Sequence, residues 1–484
     1  MASLSAYFSY DANTIDRGIP YAQFTAFQYN TGGSIWYNRS VRPTGTLFVA
    51  GRNNVGQLGL GNNVDTNTFI QLTGQWEDVA CGSTCMFAKS AGTNRWFGTG
   101  YNRSLGAGFD AINYNTLTPL TGEWRIIVPS GKNATFTMAI SAGTNTLFGT
   151  GANNYGQLGL GNTTTRYTFT ALTGNWSNVF VGGNHTMALS AGTTKLFGTG
   201  QCDPYGQLGL GTIYGDYKTF TQVAGDWSDV ACGTDFTAAL SAGTNFWYGC
   251  GDASDSPLGM IFSSSTFRAL TIHGIGAPKF SKMFCGAYNS FGLSAGTTKL
   301  YGSGYNGYGT LGTGNNKTQD AFIQIPGNWL DVYCGTVMIL ALSTKNNKLF
   351  VTGSNTYGQF GIGNNSYSYS FIDTNSYITK AGGGTNFTAI LQANNFTSPL
   401  VVDNFENQPI TFKMRPITNS GVTGSEASFF HNPPPVLFGT GDNFYGTLGL
   451  GNSGAGTDRN TFTALTGNWS QMALGQYHTM AIGY

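Results

Sequence analysis

Four histidines are the residues of this chain best suited to acid–base catalysis near neutral pH. His185 and His478 occupy one position of an internal repeat, whereas His273 and His431 fall elsewhere. Other copies fill that position with different side chains, namely Cys85, Phe236, Asn289, Met338 and Phe387. Because a position that accepts Phe, Met and Asn favours packing, and no Asp or Ser recurs beside it as triad chemistry requires, we predict no catalytic residue and no enzyme activity.

Seven cysteines could in principle hold a metal or form disulfides. Their number is odd and no paired C-x-x-C clusters occur, so neither a zinc site nor a disulfide framework is indicated. Four of them stand immediately before the same repeat glycine: Cys81, Cys232, Cys285 and Cys334. We predict that these are small buried apolar side chains, which cannot share one metal because they belong to different copies. The other three are Cys85, Cys202 and Cys250.

Glycines spaced G-x-x-G-x-G, such as Gly156, Gly159 and Gly161, resemble a loop that cradles phosphate. A nucleotide-binding loop needs a strand before it and a helix after it, and here the spacing recurs in copy after copy with no helical pattern. We therefore expect these glycines to make turns and to allow neighbouring repeats to approach closely. No cofactor is predicted.

The composition excludes several classes of function. Length alone, 484 residues, would suggest about three domains, but the composition argues against that division. Charged residues make up 9%, against a usual ~25%, and the net charge is +1. Such a chain provides no field that would attract nucleic acid or an anionic membrane. The first residues lack a basic and an apolar stretch, and no run of ~18 apolar residues occurs, so we expect neither signal-peptide secretion nor membrane insertion.

An internal repeat accounts for most of the chain. Three copies are nearly identical: LFGTGANNYGQLGLGN from Leu147, LFGTGQCDPYGQLGLG from Leu196 and LFGTGDNFYGTLGLGN from Leu437. Related copies begin at Leu47, Trp96, Trp247, Leu300 and Leu349, which makes eight. Successive copies are 49, 51, 49, 51, 53, 49 and 88 residues apart. Only the last interval departs from the period.

Each copy reads as four short strands separated by glycine-rich turns. The short link Ser-Ala-Gly-Thr-Thr-Lys, from Ser190 to Lys195, predicts a hairpin turn in which Gly192 takes a positive φ. A four-stranded unit about every 50 residues is typical of a propeller blade. The sequence therefore predicts an all-β fold, a β-propeller of four-stranded blades.

These residues resemble the regulator of chromosome condensation family of β-propellers. The family repeat carries G-x-N-x-x-G-Q-L-G-x-G followed by a small-small-Gly-x-x-His-Thr segment, and the resemblance covers about residues 47–391 and 436–482. Known members usually have seven blades. Because this chain has eight copies, we expect eight blades, with a seven-bladed ring plus a displaced unit as the alternative.

A tryptophan recurs at one repeat position. We predict that each ring is buried between blades, with its N–H bonded locally, rather than exposed for carbohydrate stacking. These structural core residues are Trp76, Trp124, Trp176, Trp227, Trp329 and Trp469.

Two segments do not repeat, and function is more often found in such segments than in blades. The predicted organisation is an aromatic arm over 1–43, repeats one to seven over 44–391, an inserted arm or hairpin over 392–435, and an eighth repeat over 436–484 that closes the propeller. An insertion of this length costs a fold little. Either arm could contact a partner, or the insertion could fold back as a hairpin. Candidate partner contacts are Tyr7, Phe8, Tyr10, Phe24, Phe27, Phe405, Phe412, Arg415, Phe429 and Phe430.

Three functions are compatible with these features. The first is a structural, protein-docking propeller of a multi-subunit assembly, most plausibly located in a phage or other virion. The alternative, implied by the family resemblance, is a cytoplasmic guanine-nucleotide exchange factor for a small GTPase, or another regulatory protein-binding propeller. The basic extensions with which family members bind chromatin are absent here. The third, an enzyme working in the propeller channel, would need converging carboxylates or histidines, and the acidic residues are scattered.

Overall fold

The computed structural model of the chain describes residues 45–393, apart from 109–112, 132–134, 261, 271–278 and 345–346. Outside that range it describes the backbone of strands between residues 6 and 39 and between residues 410 and 483. The chain divides into two compact units, one formed by Met1–Pro43 with Leu400–Tyr484 and the other by Thr44–Pro399. No helix in the described residues has the length and apolar character needed to cross a membrane.

The first unit begins with two antiparallel hairpins. Strand β1 (Ala6–Tyr10) pairs with β2 (Ile15–Ile19), and β3 (Phe24–Asn30) pairs with β4 (Ser34–Arg39).

The second unit is built from antiparallel strands in chain order. It begins with β5 (Gly45–Gly51), β6 (Thr66–Cys81), β7 (Cys85–Ser90), β8 (Trp96–Gly100) and β9 (Tyr114–Pro119). Five four-stranded sheets follow. Their strands are β10 (Trp124–Pro129), β11 (Phe136–Ser141), β12 (Leu147–Gly151) and β13 (Arg166–Ala171); β14 (Trp176–Val181), β15 (His185–Ser190), β16 (Leu196–Gly200) and β17 (Tyr217–Gln222); β18 (Trp227–Cys232), β19 (Phe236–Ser241), β20 (Trp247–Gly251) and β21 (Ser264–Ala269); β22 (Phe280–Cys285), β23 (Asn289–Ser294), β24 (Leu300–Gly304) and β25 (Gln319–Ile325); and β26 (Trp329–Cys334), β27 (Met338–Ser343), β28 (Lys348–Gly353) and β29 (Ser368–Tyr377).

The two ends of the second unit join in a seven-stranded sheet. The last strands, β30 (Lys380–Gly383) and β31 (Phe387–Ala393), continue the sheet in the order β30-β31-β5-β6-β7-β8-β9. Strand β31 pairs with β5 over its whole length, from Phe387 opposite Gly51 to Ala393 opposite Gly45. This pairing of the end of the unit with its beginning closes the ring.

The predicted all-β propeller of four-stranded blades is confirmed, but the predicted number of blades is not. The second unit shows five separate four-stranded sheets and one seven-stranded sheet, neither eight nor seven separate blades. The difference lies in the closing pair of strands. Because β31 and β5 are not joined by a hairpin turn, their pairing extends to Ala393 opposite Gly45, which also pairs with Trp76 of β6. In another repeat the residue that bonds the equivalent Trp176, Asn145, lies in a hairpin turn, and the two sheets stay separate.

Within the described ring, β31 pairs with β5 and so joins the two ends of the unit. The closing role of residues 436–484 stays a prediction, and the eighth copy belongs to the first unit. There β32 (Ile410–Met414), β33 (Ala427–Asn432), β34 (Val436–Gly441) and β35 (Arg459–Leu465) form one sheet, and β36 (Trp469–Leu474) pairs with β37 (Thr479–Gly483).

The core of the ring lies between consecutive sheets. Trp176, for example, packs in one cluster with Phe136, Met138 and Leu147 of the preceding sheet. Its ring meets Phe197 edge to face at 5.5 Å, and its Nε1–H donates to the carbonyl oxygen of Thr173 at 3.2 Å. The equivalent rings are between 4% and 6% exposed: Trp76, Trp124, Trp176, Trp227 and Trp329. The side chain of Trp469 lies outside the described residues.

Candidate protein-binding face

Two kinds of loop meet at one end of the ring. One is the short turn that precedes the strand carrying the repeat His position, and the other follows each Leu-Phe-Gly-Thr-Gly strand. A backbone N–H of the second loop donates to a carbonyl oxygen of the first in every repeat around the ring. These hydrogen bonds, of 2.8–2.9 Å, join Tyr101 to Thr84, Ala152 to Thr135, Gln201 to Asn184, Asp252 to Asp235, Tyr305 to Tyr288, Ser354 to Val337 and Arg52 to Asn386. We call these residues the paired positions.

Buried Asn and Gly residues hold the longer loops in place. Asn153 accepts a hydrogen bond from the N–H of Leu158 at 2.9 Å and donates to the carbonyl oxygen of Asn162 at 2.8 Å. Gly156 follows β12 and has a φ of 79°. A Cβ there would lie 2.6 Å from Cα of Lys218, which belongs to β17 of the next sheet. The predicted role of these glycines in turns and close approach is confirmed, as is the positive φ of Gly192, which is 73°.

The paired positions differ in chemistry from one repeat to the next, although their backbone is the same. Asn184 donates from its amide to Gln201 at 3.0 Å. The guanidinium of Arg52 lies over the ring of Tyr357, 4.8 Å from its centre. The scaffold therefore presents a different side-chain pair at each repeat.

One part of the face combines carboxylates with phenol rings. The rings of Tyr288 and Tyr305 meet edge to face at 6.2 Å, and those of Tyr305 and Tyr308 at 6.0 Å. Asp252 is fixed by its own loop, since its carboxylate accepts hydrogen bonds from the N–H and hydroxyl of Ser254 at 2.9 and 2.7 Å. We call this group the acidic tyrosine sector: Tyr205, Asp235, Asp252, Asp255, Tyr288, Tyr305 and Tyr308.

The carboxylates of this sector affect the pKa values of its tyrosines. The pKa of Tyr205 is raised, chiefly by the carboxylate of Asp252, with smaller contributions from burial and from Asp235. Burial, followed by Tyr308 and Asp255, raises the pKa of Tyr305. Negative charge disfavours a second negative charge nearby, so both phenols remain protonated donors at neutral pH.

A cavity of about 440 Å³ opens on this face. Its walls come from the acidic tyrosine sector and from the equivalent turns of the repeats that follow it around the ring. Its lining residues are Ser83, Asp255, Tyr288, Tyr305, Tyr308, Thr336, Val337, Thr385 and Asn386. The cavity is therefore part aromatic, part hydroxyl-lined and negatively charged.

The axial channel below has about 150 Å³ of space and is walled mainly by small residues. Cys81, Cys232, Cys285 and Cys334 line it and are half-buried, so they are not the fully buried side chains that the sequence suggested. Their enclosure raises the pKa of each thiol, to about 12 for Cys232. A protonated thiol is a poor nucleophile and ligand. Among the described residues, no three His, Cys, Asp or Glu side chains are grouped to hold a metal.

His185 is a buried packing residue. Its Nε2 lies 2.9 Å from the hydroxyl of Thr237, which itself donates to the carbonyl oxygen of Gln207 at 2.8 Å. That arrangement assigns the ring proton to Nε2. Burial lowers the pKa of His185 to about 4, so the ring is neutral at pH 7. His478 lies outside the described residues.

The structure gives no side-chain placement for the predicted contact residues. Tyr7, Phe8, Tyr10, Phe24 and Phe27 belong to strands described only by their backbone, as do Phe412, Phe429 and Phe430. Phe405 and Arg415 lie outside the described residues. The paired positions could not be recognised from the repeat because their side chains differ from one copy to the next. The available signal was this variation of residue type at fixed positions of an otherwise regular repeat.

Comparisons with known proteins agree with this geometry. The family model for the regulator of chromosome condensation (RCC1) repeat matches residues 44–88 and 144–189. Human WBSCR16 has 20% identity and a TM-score of 0.62, covering 72% of this chain and 98% of its own. Prp20p from Saccharomyces cerevisiae, studied for its binding to Gsp1p and histones, has 15% identity and a TM-score of 0.61, covering 73% and 92%.

A second structure of the yeast protein, bound to Kap60, has 14% identity and a TM-score of 0.62, covering 73% of this chain and 89% of that one. No curated protein shows a significant sequence match. At identities this low, the similarity to these structures establishes only the fold, and the match to the repeat family model establishes which type of propeller it is. The ring of this chain is thus a β-propeller of the regulator of chromosome condensation type.

Proposed function

We propose that this chain is a regulatory, non-enzymatic protein-binding propeller whose partner docks on the face formed by the paired positions. One observation carries the proposal: a backbone hydrogen bond repeated around the ring fixes side-chain pairs of different chemistry on one rigid face. A protein partner can be recognised by such a mixture of aromatic anchors and charges.

The solved structures support a protein-binding role by analogy. Prp20p was studied for its binding to Gsp1p and histones, and it has also been solved with Kap60. Fold alone does not fix function, so the analogy extends only to protein binding as a class. Guanine-nucleotide exchange on a small GTPase is one specific form of this role.

The proposal is tested by comparing the two ends of the ring. The double variant Asp252→Asn/Tyr305→Ala alters the proposed face, and Lys195→Ala alters an exposed ion pair with Asp226 among the turns at the other end. Partners captured by the wild-type chain are purified and their affinities measured against each variant. We expect the double variant to lose affinity at least about tenfold, as for interface anchors, and Lys195→Ala to bind normally. Equal affinities would contradict the proposed face.

Exchange activity is distinguished by a separate assay. Release of a fluorescent guanine nucleotide from candidate small GTPases is followed with and without the chain. Acceleration that the double variant abolishes would establish an exchange factor, whereas binding without acceleration would establish a docking or inhibitory propeller. The phage or virion location has no support from the comparisons and stays a prediction, as does a role in a multi-subunit assembly.

A further inference from the structure

We propose that the cavity on this face binds the ammonium group of a lysine side chain, plain or N-methylated, presented by a basic segment of the partner. This inference rests on the proposed protein-binding function and specifies what that face recognises. It follows from three properties of the cavity: its aromatic wall, its local charge and the hydroxyl groups of its remaining wall.

The aromatic walls come from three tyrosines of neighbouring loops. Tyr288, Tyr305 and Tyr308 all line the cavity, and successive rings lie 6.2 and 6.0 Å apart at 76° and 71°. Rings at such angles to one another offer differently oriented surfaces along the same cavity wall. Cations, and quaternary ammonium groups in particular, are attracted to the faces of aromatic rings within ~6 Å of their centres. Tyr308 is 49% exposed, so this wall is accessible from solution.

The local charge is negative and is a departure from the repeat. Asp255 lines the cavity at the loop position where other copies carry Tyr155, Tyr205, Tyr308 and Tyr357. Asp252 and Asp235 lie close enough to raise the pKa of Tyr205 on the same side of the ring. With a net charge of only +1 over 484 residues, this field is a property of the site rather than of the whole chain.

The remaining wall also favours an ammonium group, because three hydroxyl side chains line it. The hydroxyl oxygen of Thr385 lies 3.0 Å from that of Ser83 and 3.1 Å from that of Thr336. These oxygens can accept hydrogen bonds from an ammonium that also touches the rings. An unbranched lysine stem can pack along the rings while its charged end meets Asp255.

The probes are N-acetyl-lysine methylamide, its Nε-trimethyl form, and the uncharged analogue in which a tert-butyl group replaces the trimethylammonium. Binding to the full chain is followed by ligand-observed NMR and titration calorimetry. We expect the trimethyl form to bind at least about fivefold more tightly than its uncharged analogue, because only the cation gains from ring faces and carboxylates. We also expect raised salt to weaken that preference.

Matched variants locate the site. Tyr308→Ala and Asp255→Tyr should each weaken the cationic probes at least about fivefold, while Tyr155→Ala, at the same loop position in another repeat, should leave them unchanged. Asp255→Tyr introduces the residue that the repeat carries most often there, so the fold tolerates it. Thermal unfolding of each variant checks this directly.

Equal binding of the uncharged analogue would overturn the inference, and so would an equal loss of binding with Tyr155→Ala. Tighter binding of an arginine analogue than of either lysine probe would also overturn it. Failure of the small cations while a protein partner still depends on Asp252 and Tyr305 would leave the proposed function standing. Cation binding at Tyr308 with no protein partner sensitive to the face would instead support the site and contradict the proposed function.

Discussion

The rings of Tyr288 and Tyr305 meet edge to face at 6.2 Å, and the same two residues are joined by a 2.9 Å backbone hydrogen bond from the N–H of Tyr305 to the carbonyl oxygen of Tyr288. The backbone bond recurs around the ring, whereas the aromatic contact belongs to this repeat. A common scaffold therefore positions a local recognition feature, and substitutions at the paired positions can change binding without changing the strands beneath.

The negative charge of the acidic tyrosine sector should be measurable as a change in the pKa of Tyr205. Because the carboxylate of Asp252 is the largest cause of the raised pKa of this phenol, Asp252→Asn should lower the pKa of Tyr205 toward its ordinary value of about 10. The measurement is a pH titration of tyrosine ¹³Cζ signals by NMR, with Tyr205→Phe used to assign the resonance. An unchanged or higher pKa in the Asn variant would show that the two side chains do not interact.

Acid should destabilise the ring partly through His185. Its pKa falls from about 6.5 when unfolded to about 4 when buried, so the unfolded state binds the proton more readily between these values. The stability contributed by the neutral ring is complete above pH 6.5 and is lost as the pH falls toward 4. At about 1.4 kcal/mol per pKa unit, the loss is on the order of 3 kcal/mol.

The matched variant is His185→Phe, because Phe236 fills the same position in the next repeat. Thr237 keeps its hydrogen bond to Gln207, so no buried hydroxyl is left without a partner. Urea unfolding at pH 7 and pH 4.5 should show a smaller loss of stability in the variant. An identical loss in both proteins would assign the acid sensitivity to carboxylates instead.

The repeat allowed the strands and the core to be predicted, because each copy carries the same aromatic residues and turn glycines. The continuous strand β6 could not be predicted, since Leu72-Thr73-Gly74 matches the turn Leu172-Thr173-Gly174 of another repeat. What distinguishes it is the pairing of two residues distant in sequence, Gly45 and Ala393, which extends β5 to the point where it also pairs with Trp76. The cavity could not be predicted either, because its lining residues come from loops that are far apart in the sequence and meet only when the ring is formed.

Two glycines allow the energetic cost of a steric clash to be separated from that of a left-handed backbone conformation. Gly156 and Gly192 have φ values of 79° and 73°, but a Cβ at Gly156 would lie 2.6 Å from Cα of Lys218, whereas a Cβ at Gly192 would have no neighbour within 4 Å. Gly192→Ala should cost about 1–2 kcal/mol for the left-handed conformation. Gly156→Ala should cost at least about 1 kcal/mol more, because backbone cannot yield as a side chain does. Equal losses in denaturant unfolding would argue against tight packing of this loop.

Ring closure gives the sharpest test of the architecture. Strand β31 pairs with β5 from Phe387 to Ala393, and Lys380 of β30 forms an ion pair with Asp78 of β6. The segment Thr44–Pro399 contains every strand of the closed ring, so it should be soluble, monomeric and cooperatively folded. Ending the same segment at residue 378 removes β30 and β31 and leaves the edge of β5 unpaired, which should cause aggregation. Light scattering after size-exclusion chromatography, with thermal unfolding, compares the two proteins. If the shorter protein were equally monomeric and stable, or if the longer one aggregated, closure by β31 and β5 would be contradicted and residues 400–484 would have to take part in closing the ring.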